Sequence, residues 1–461
     1  MGPWKTPLAE VRSTTPMIRS VVTPFLPDDE KIPEIREALP STAAGIYFNT
    51  GTAGPLPRET ARAMTEAEAW ELRTGRADNN FYKDSLERRA EARAAIAAVL
   101  GTDPGHIALM HAATDGMNVA AWAVDWKPGD RVVTTNLEHA GGLGPLWALR
   151  ERMGVELAIA DIGMGGMGTA EPEGAGADGA PDPPRAPDPP RAPDPTVILE
   201  AFDRAITPET RLVALSHVVW ATGARLPIRE IAELAHSRGA LVAVDGAQSV
   251  GAIPVSVEEL GVDFYAVPGQ KWLLGPEGTG AVYCAESVMD RPRLAFAGYS
   301  SFESIDLAAE GKLWPDARRF EGAGFHGPSV VGFARSAAWL SMFVGWQWIH
   351  ERIARLAGEA AAMLADVPAV EVLTPRANMA GLVTFRIAGW KSSAALRELS
   401  QRTLCIARTI PPLDAIRISV GFFNTEGELR RFRDGVALVA ENTPDTIPHR
   451  PRIEVLRGGV D

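Results

Sequence analysis

The chain has 461 residues, of which 46% are hydrophobic and 23% are charged, and its 58 acidic and 46 basic residues give a net charge of −12. This composition is typical of globular proteins and excludes a wholly disordered chain. The acidic balance, without a basic stripe, excludes nucleic acid and anionic membranes as expected partners. No leader-like N-terminus and no long apolar run is present, and the two cysteines, Cys284 and Cys405, fit no disulfide framework or metal site. We therefore expect a cytoplasmic protein without a metal.

The first part of the chain alternates between helix-like and strand-like segments after a proline- and charge-rich arm, predicted over residues 1–43. Helices are predicted at 58–74, 83–99, 115–124, 142–153 and 227–238. Strands are predicted at 107–110, 131–134, 155–159, 211–216, 240–244, 263–267 and 280–283. Because short apolar strands that alternate with helices are typical of βαβ units, we predict a large α/β domain over 44–295 around a mostly parallel seven-stranded sheet.

Residues 163–195 interrupt this alternation with repeats of Ala-Pro-Asp-Pro-Pro-Arg. Proline at this density is excluded from sheet and helix interiors, so we interpret the segment as a surface insertion in the large domain. The glycines at 163, 165 and 168 match a dinucleotide-binding spelling. No helix can follow them, and we reject that interpretation.

A different pattern begins near residue 296. A long amphipathic stretch at 329–366 is followed by strand-like runs at 369–373, 381–387 and 415–420 and by a helix near 425–440. We predict a smaller α+β domain over 296–440 and an irregular tail over 441–461.

Lysine is scarce, since only seven of the 46 basic residues are lysine, and one of these seven has chemically interesting neighbours. Lys271 follows a predicted strand and a Pro-Gly turn, and Asp245 ends the preceding predicted strand. Alone, each is an ordinary loop residue. Together they suit the two ends of pyridoxal phosphate, because a lysine amine bonds to its aldehyde and a carboxylate keeps its ring nitrogen protonated. The carboxyl ends of such strands share one sheet edge, where ligands collect.

Two further segments fit this cofactor. Ala113, Thr114 and Asp115 lie between a predicted strand and a predicted helix, where backbone N–H groups and a hydroxyl suit a phosphate, although the same residues also suit a simple helix cap. Glu138-His139 follows another predicted strand, and the flat imidazole of His139 could stack on the cofactor ring.

These segments, in this order, resemble the class V aminotransferase family of fold type I pyridoxal-phosphate enzymes, and in particular its cysteine desulfurase-like and isopenicillin N epimerase-like members. The resemblance covers roughly residues 44–440. It rests on the segments Asn49–Pro57, Ala113–Gly116, Glu138-His139, Ser216–Val218, Asp245–Gln248, Gly269–Lys271 and Arg417–Ser419 with Asn424.

The resemblance implies a role for each matching residue. Lys271 would carry the cofactor and move protons, Asp245 would bind the ring nitrogen and His139 would stack on the ring. Gln248 would donate a hydrogen bond to the phenolic oxygen. The phosphate would be held by Thr114, the backbone at Ala113 and Asp115, and Gln270, which stands where relatives often have histidine.

The resemblance also implies a substrate side of the site. Arg408 aligns with an arginine that binds the substrate carboxylate, for which a planar bidentate cation is well suited. Asn49 and Trp220 are predicted to face the substrate. Trp220 replaces an asparagine of many relatives and adds an apolar wall. The partner is thus a small-molecule amino acid, and the family implies a homodimer.

Two departures from the family concern function. Desulfurases of the most similar type have Arg-Thr-Gly-His-His-Cys, whereas this chain has Arg408-Thr-Ile-Pro-Pro-Leu413 and therefore lacks the nucleophilic cysteine at that position. Cys405 is predicted to be a buried apolar residue. The threonine with which relatives bind phosphate across a dimer interface is missing from 322–326.

The expected function is accordingly a pyridoxal-phosphate-dependent reaction of an amino acid or amino-acid derivative. Transamination or epimerisation is ranked first. A C–S or β-lyase ranks next, and a cysteine desulfurase last because of Leu413. A non-catalytic partner-binding protein with the same fold is the alternative of another class, and the presence of both Lys271 and Asp245 argues against it.

Overall fold

A computed structural model of the chain describes residues 27–163, 195–289, 293–322 and 324–449. The predicted proline-rich insertion, with the glycine motif inside it, lies outside the described residues except for its two end positions. So do the first 26 residues and the end of the predicted tail. Within the described ranges, no helix has the length and apolarity that a membrane crossing requires.

The described elements alternate along the first two thirds of the chain. The strands are β1 (Ile46–Tyr47), β2 (Ile107–Met110), β3 (Arg131–Thr135), β4 (Glu156–Ala160), β5 (Thr210–Ser216), β6 (Leu241–Asp245), β7 (Phe264–Pro268), β8 (Gly280–Cys284), β9 (Phe302–Ile305), β10 (Gly311–Leu313), β11 (Val370–Val372), β12 (Leu382–Ile387), β13 (Cys405–Ile406), β14 (Arg408–Ile410) and β15 (Ala415–Ser419). The helices are α1 (Asp28–Ala38), α2 (Arg58–Thr74), α3 (Asn79–Leu100), α4 (Ala113–Trp122), α5 (Ala140–Met153), α6 (Pro195–Ala205), α7 (Ile228–Ser237), α8 (Val257–Leu260), α9 (Glu286–Met289), α10 (Gly327–Trp339), α11 (Trp346–Ala365), α12 (Ser392–Thr403) and α13 (Glu426–Ala440).

Seven strands form the large sheet, in the order β2-β8-β7-β6-β5-β3-β4. Neighbours from β7 to β4 are parallel, and β8 alone runs antiparallel to both of its neighbours, β2 and β7. The predicted mostly parallel seven-stranded sheet is confirmed, and each of its strands lies within one residue of its predicted bounds.

Both faces of this sheet are buried, which explains the continuous apolar strands. In β6, Val242 and Val244 belong to one hydrophobic cluster together with α7, while Leu241 and Ala243 belong to a second cluster together with α4. Helices therefore cover the sheet on two sides, as in other doubly wound α/β proteins.

The C-terminal part has a four-stranded antiparallel sheet in the order β11-β12-β15-β14. Helices α11, α12 and α13 pack against it around a separate apolar cluster. The predicted α+β character is thus confirmed, while the domain boundaries at 43, 295 and 440 stay predictions. The amphipathic stretch noted at 329–366 forms the two helices α10 and α11, which are separated by a π-helical turn over Leu340–Val344.

The start of the described chain packs against both of these parts. Ile35 of α1 and Leu39 are fully buried in the main core, although both lie in the segment predicted to be a proline- and charge-rich arm. Strand β1 pairs with β13, and Asn49 bridges Ser419 of β15. Gly54 N–H then donates to Gln270 O at 2.7 Å. Residues 49–54 are thereby held against the turn that contains Lys271.

Candidate active site

Asp245 and Lys271 lie at the carboxyl edge of the large sheet. Asp245 is the buried last residue of β6, and Lys271 follows the adjacent parallel strand β7 by three residues. The Asp245 carboxylate is oriented by the backbone, because Ala247 N–H donates to Oδ1 at 2.9 Å. The structure thus brings the two predicted poles of the cofactor site to one edge.

The turn around Lys271 is held from several sides. Gly275 N–H donates to Gly269 O at 2.8 Å, and the Ser336 hydroxyl of α10 donates to Leu273 O at 2.5 Å. Leu274 has a left-handed backbone with φ of 54°, which costs a non-glycine residue about 1 kcal/mol. This strain is tolerated because the surrounding hydrogen bonds define the turn, and they fix the position of the lysine stem.

Electrostatics favour a reactive amine at Lys271. Burial lowers the pKa of Lys271 below its usual value, Arg417 and Arg408 lower it further, and Asp245 partly opposes these effects. Since only the neutral amine is a nucleophile or a proton acceptor, this environment suits both covalent attachment and proton transfer.

His139 and Thr114 lie beside each other above this edge. His139 precedes α5, and its Nδ1 accepts a hydrogen bond from Gly141 N–H at 3.0 Å. A methyl group added at Gly141 would lie 2.6 Å from Thr114 Oγ1, and one at Gly142 would lie 3.9 Å from Asp245 Oδ2. Burial and the charge of Lys271 lower the pKa of His139, so a neutral ring with its proton on Nε2 faces the site.

The predicted phosphate donors lie at the start of α4. Ala112 provides no side-chain cap there, so the N–H groups of Ala113 and Thr114 have no intrahelical acceptor. The N–H of Asp115 already donates to Ala112 O at 3.2 Å, and its carboxylate accepts from His111 N–H. Of the three predicted residues, Ala113 and Thr114 therefore retain free backbone donors for an anion.

The two glutamines differ in their environment. Gln248 is held at both ends, since its Nε2 donates to Gly51 O at 2.8 Å and its Oε1 accepts from Trp272 Nε1 at 3.0 Å. Its second amide hydrogen is left for a ligand. Gln270 Oε1 is buried without a hydrogen-bond partner among the described residues, which is the situation expected of a group that awaits a ligand.

Two of the predicted substrate residues, Arg408 and Trp220, lie close to each other. Arg408 Nη1 donates to Thr52 Oγ1 at 3.3 Å, and its guanidinium lies 5.8 Å from the centre of the Trp220 ring. The Trp220 ring meets the His139 ring edge-on at 5.3 Å. Asn49 Oδ1 is buried and has no partner among the described residues. Trp220 therefore forms a wall that joins His139 to Arg408.

One residue of this site received no role from the sequence. Arg417 is 1% exposed on β15, directly opposite Arg408 of β14 in the sheet. Its Nη1 donates to Trp220 O at 2.7 Å, while Nε and Nη2 have no partner among the described residues. Burial lowers the pKa of Arg417 to about 9, with Arg408 as the second cause. The sequence did contain a signal for Arg417, since a charged residue between two isoleucines in Ala-Ile-Arg-Ile-Ser is unusual in a buried strand.

The two cysteines of the chain are poorly suited to act as nucleophiles in this site. Leu413 occupies the position of the desulfurase cysteine and is 8% exposed. Cys405 and Cys284 are buried, and burial raises the pKa of both thiols. A thiolate nucleophile is thus not available from either cysteine of the chain.

Comparisons with known proteins agree with this geometry. The sequence model of the family "aminotransferase class-V" matches residues 46–173 and 190–432. The chain belongs to this family. It is 25% identical over 86% of its length to a probable cysteine desulfurase from Methanothermobacter thermautotrophicus, of which 95% is covered. It is 28% identical over 86% of its length to isopenicillin N epimerase from Streptomyces clavuligerus, again with 95% covered.

Solved structures of C-DES are similar as well. A complex of this cystine C–S lyase with its reaction product cysteine persulfide is 25% identical, with a TM-score of 0.75 over 87% of this chain and 99% of C-DES. A lysine-to-alanine variant of C-DES with glycine covalently linked to the PLP cofactor gives a TM-score of 0.76 at 25% identity. The predicted fold type I architecture and the cofactor, pyridoxal 5′-phosphate, are thereby confirmed.

The residues of this chain fit that cofactor. Lys271 and Asp245 share the sheet edge, and the uncapped start of α4 offers donors for an anion. Lys271 would carry the aldehyde carbon, Asp245 the ring nitrogen, and Ala113 with Thr114 the phosphate. These individual roles stay predictions.

Proposed function

We propose that the protein cleaves a C–S bond at the β-carbon of a cysteine-type amino acid in a pyridoxal-phosphate-dependent β-elimination. This changes the ranking drawn from the sequence, which placed transamination or epimerisation first. The change is supported by the relatives, which include a probable cysteine desulfurase, and by the structural likeness to the cystine C–S lyase C-DES.

The observation that carries this proposal is Leu413 together with that likeness. A persulfide-forming desulfurase needs an enzyme thiolate to attack the substrate sulfur. Leu413 is apolar and both cysteines are buried. A β-elimination needs no such nucleophile, because the sulfur group leaves with the electron pair of its own C–S bond.

The arginines would place the substrate. Arg408 and Arg417 are cross-strand neighbours, and no acidic side chain among the described residues pairs with either guanidinium. A substrate carboxylate would satisfy the unpartnered Nε and Nη2 of Arg417 and relieve the repulsion between the two cations. Trp220 would limit the space for the substrate side chain beside them.

Lys271 would move the proton. When bound, the cofactor supplies an electron sink, and Asp245 keeps its ring nitrogen protonated. The neutral amine of Lys271 takes the α-proton, and the electron pair of the Cα–H bond forms a double bond to Cβ while the sulfur leaves as a thiolate. Hydrolysis of the remaining three-carbon unit gives pyruvate and ammonia. His139 and Trp220 would exclude water until the sulfur has left.

Epimerisation is the second candidate. It is supported by the 28% identity to isopenicillin N epimerase over 86% of the chain. It is also supported by Leu413, since the return of a proton to the α-carbon requires no cysteine.

A panel of amino acids in heavy water separates these reactions. We expect pyruvate and ammonia, together with hydrogen sulfide from cysteine or cysteine persulfide from cystine, and none of these products from alanine. Deuterium at the α-carbon with inverted configuration would instead establish epimerisation. Conversion of the cofactor to its amine form would establish transamination. Either of these outcomes, without pyruvate, would overturn the proposal.

We also propose a homodimer, as the resemblance implies. Several large apolar side chains are at least 70% exposed and are candidates for such an interface: Leu72, Phe296, Tyr299, Leu307 and Met342. Sedimentation velocity of the full chain should give a mass near twice 49.3 kDa. A monomer at micromolar concentration would contradict this proposal.

A further inference from the structure

Glu138 is a buried carboxyl group that the proposed reaction does not use. It is 8% exposed and lies between the end of β3 and the start of α5. The Thr135 hydroxyl donates to its Oε1 at 2.6 Å, and the Ser216 hydroxyl donates to its Oε2 at 2.5 Å. The carboxyl group thus links the carboxyl ends of β3 and β5, two neighbouring strands of the large sheet.

Both links end next to the cofactor site. Ser216 is the register partner of Asp245 on β6, so Glu138 holds the strand that borders the ring-nitrogen carboxylate. Glu138 is also followed directly by His139, the residue predicted to stack on the cofactor ring. A movement of this carboxyl group would therefore displace groups on two sides of the ring.

Among the described residues, no cationic side chain pairs with the Glu138 carboxyl group. Thr135 and Ser216 are neutral, and the charged group that acts on it from β6 is Asp245. His139 is the other ionisable neighbour, and Lys271, Arg408 and Arg417 act on His139 from across the site. The pKa of Glu138 is raised to about 7, chiefly by burial; the two hydroxyl donors oppose this effect and Asp245 adds to it. Its ionisation is thus sensitive to small changes near neutral pH.

We propose that Glu138 is a positioning residue of the cofactor site, which ties β3 to β5 beneath His139 and adds a second negative charge behind Asp245 when it ionises. The added charge favours a protonated ring nitrogen and a protonated His139. The visible absorption of the bound cofactor and the rate of proton transfer should therefore change together as Glu138 titrates. The inference rests on the cofactor lying against Asp245 and His139, and it is independent of the substrate.

The test uses Glu138→Gln, which keeps the shape but cannot ionise. One hydroxyl can still donate to the amide oxygen, while the other must turn to accept from the amide N–H. In the wild-type enzyme with bound cofactor, we expect a transition in the visible spectrum with a midpoint near pH 7. This transition should be absent in E138Q. Ser216→Ala removes a donor that stabilises the carboxylate, so its midpoint should rise by roughly one pH unit.

Two controls make the result specific. Asp161→Asn changes another carboxyl group at the end of a strand. The Asp161 carboxylate is exposed and accepts a hydrogen bond from Asn136, so the visible spectrum of this variant should titrate like that of the wild type. Infrared difference spectra of the cofactor-free protein should show a carboxyl group that ionises near pH 7 in the wild type and is absent in E138Q. This second readout survives even if the proposed C–S cleavage is wrong.

A purely structural Glu138 would lower stability in E138Q without changing the visible titration of the bound cofactor. The proposal is overturned if the visible transition is absent from the wild type or persists in E138Q. It is also overturned if S216A leaves the midpoint of the transition unchanged. S216A and Thr135→Val provide the same test if E138Q does not fold.

Discussion

Arg417 is a buried cation whose position in the fold is energetically unfavourable without a counter-ion. Its guanidinium is almost fully buried, makes one hydrogen bond to Trp220 O, and faces the like charge of Arg408. Removing a charge from water costs several kcal/mol unless a partner compensates for it. The fold alone provides no such partner among the described residues, so a bound carboxylate is the natural counter-ion.

Replacement of Arg417 should separate stability from function. Arg417→Met keeps a similar volume and removes the buried charge, so the free energy of unfolding should stay equal or rise by up to about 4 kcal/mol. KM for the amino acid should rise by roughly 10- to 100-fold, as expected for the loss of charge-assisted hydrogen bonds. Thermal unfolding and steady-state kinetics measure the two effects.

Arg386→Met is the matched control, because Arg386 lies in the same sheet and already bonds Leu413 O and Glu371. It should lose stability and keep KM. If R417M instead lost stability and kept KM, Arg417 would be a structural residue.

For individual residues, the sequence indicated which side chains could bind the cofactor, but not the contacts that hold those side chains in place. Lys271, Asp245, His139 and Thr114 were proposed because each lies just after a predicted strand or at the start of a predicted helix. Gln248 was proposed because the family resemblance implies it, and the roles of all five stay predictions. Arg417 and Glu138 were not assigned roles. What distinguishes each of them is the lack of a compensating charge in a buried position, and that depends on contacts between strands far apart in the chain.

Among the elements, the large sheet was predictable because its strands are short continuous apolar runs bounded by turns. The elements that the sequence did not reveal lack this contrast. The hairpin of β9 and β10 is mostly exposed, so it shows no core pattern. Helix α12 has a polar composition, with buried side chains at only four positions. The break between α10 and α11 is a π-helical turn whose apolar residues continue the helical pattern.

Helix α7 is joined to the large sheet by a histidine that should make stability depend on pH. His236 Nε2 lies 2.8 Å from Asp263 Oδ2, and the same oxygen accepts from Val242 N–H of β6 at 2.8 Å. The hydrogen bond to Asp263 raises the pKa of His236 above its usual value, against a smaller opposing effect of burial.

Because the folded pKa of His236 is raised, its contribution to stability is fully present below about pH 6.5 and is lost as the pH rises through the folded pKa. The thermal midpoint should therefore decrease between about pH 6 and about pH 8. His236→Gln should reduce this decrease without moving the visible band of the bound cofactor. An unchanged pH dependence in H236Q would show that the pair contributes nothing measurable.

For the whole molecule, the site depends on two parts of the chain that the sequence could not join. Residues 49–54 reach the Lys271 turn because β1 pairs with β13 and Asn49 bridges Ser419. These pairings join residues more than 300 positions apart, and two-residue strands carry no periodic signal. The family motifs did predict that Asn49 belongs to the site, but the contacts that hold it there appear only in the structure.

Membership of the family determines the fold more closely than it determines the reaction. Relatives that share this architecture include a probable cysteine desulfurase, an epimerase and a C–S lyase. The outcome depends on a few side chains around one electron sink, here Leu413, Trp220 and the two arginines. Each of the candidate reactions still requires that the cofactor be attached to the same lysine.

That attachment is the central claim, and it can be measured directly. The protein with bound pyridoxal phosphate is reduced with borohydride and digested, and the modified peptide is identified by mass spectrometry. We predict loss of the visible band, with the reduced cofactor on Lys271 and on none of the six other lysines. Lys271→Arg should fold normally, carry no reduced cofactor and be inactive. Label on another lysine, or a protein that stays colourless with added cofactor, would contradict the account.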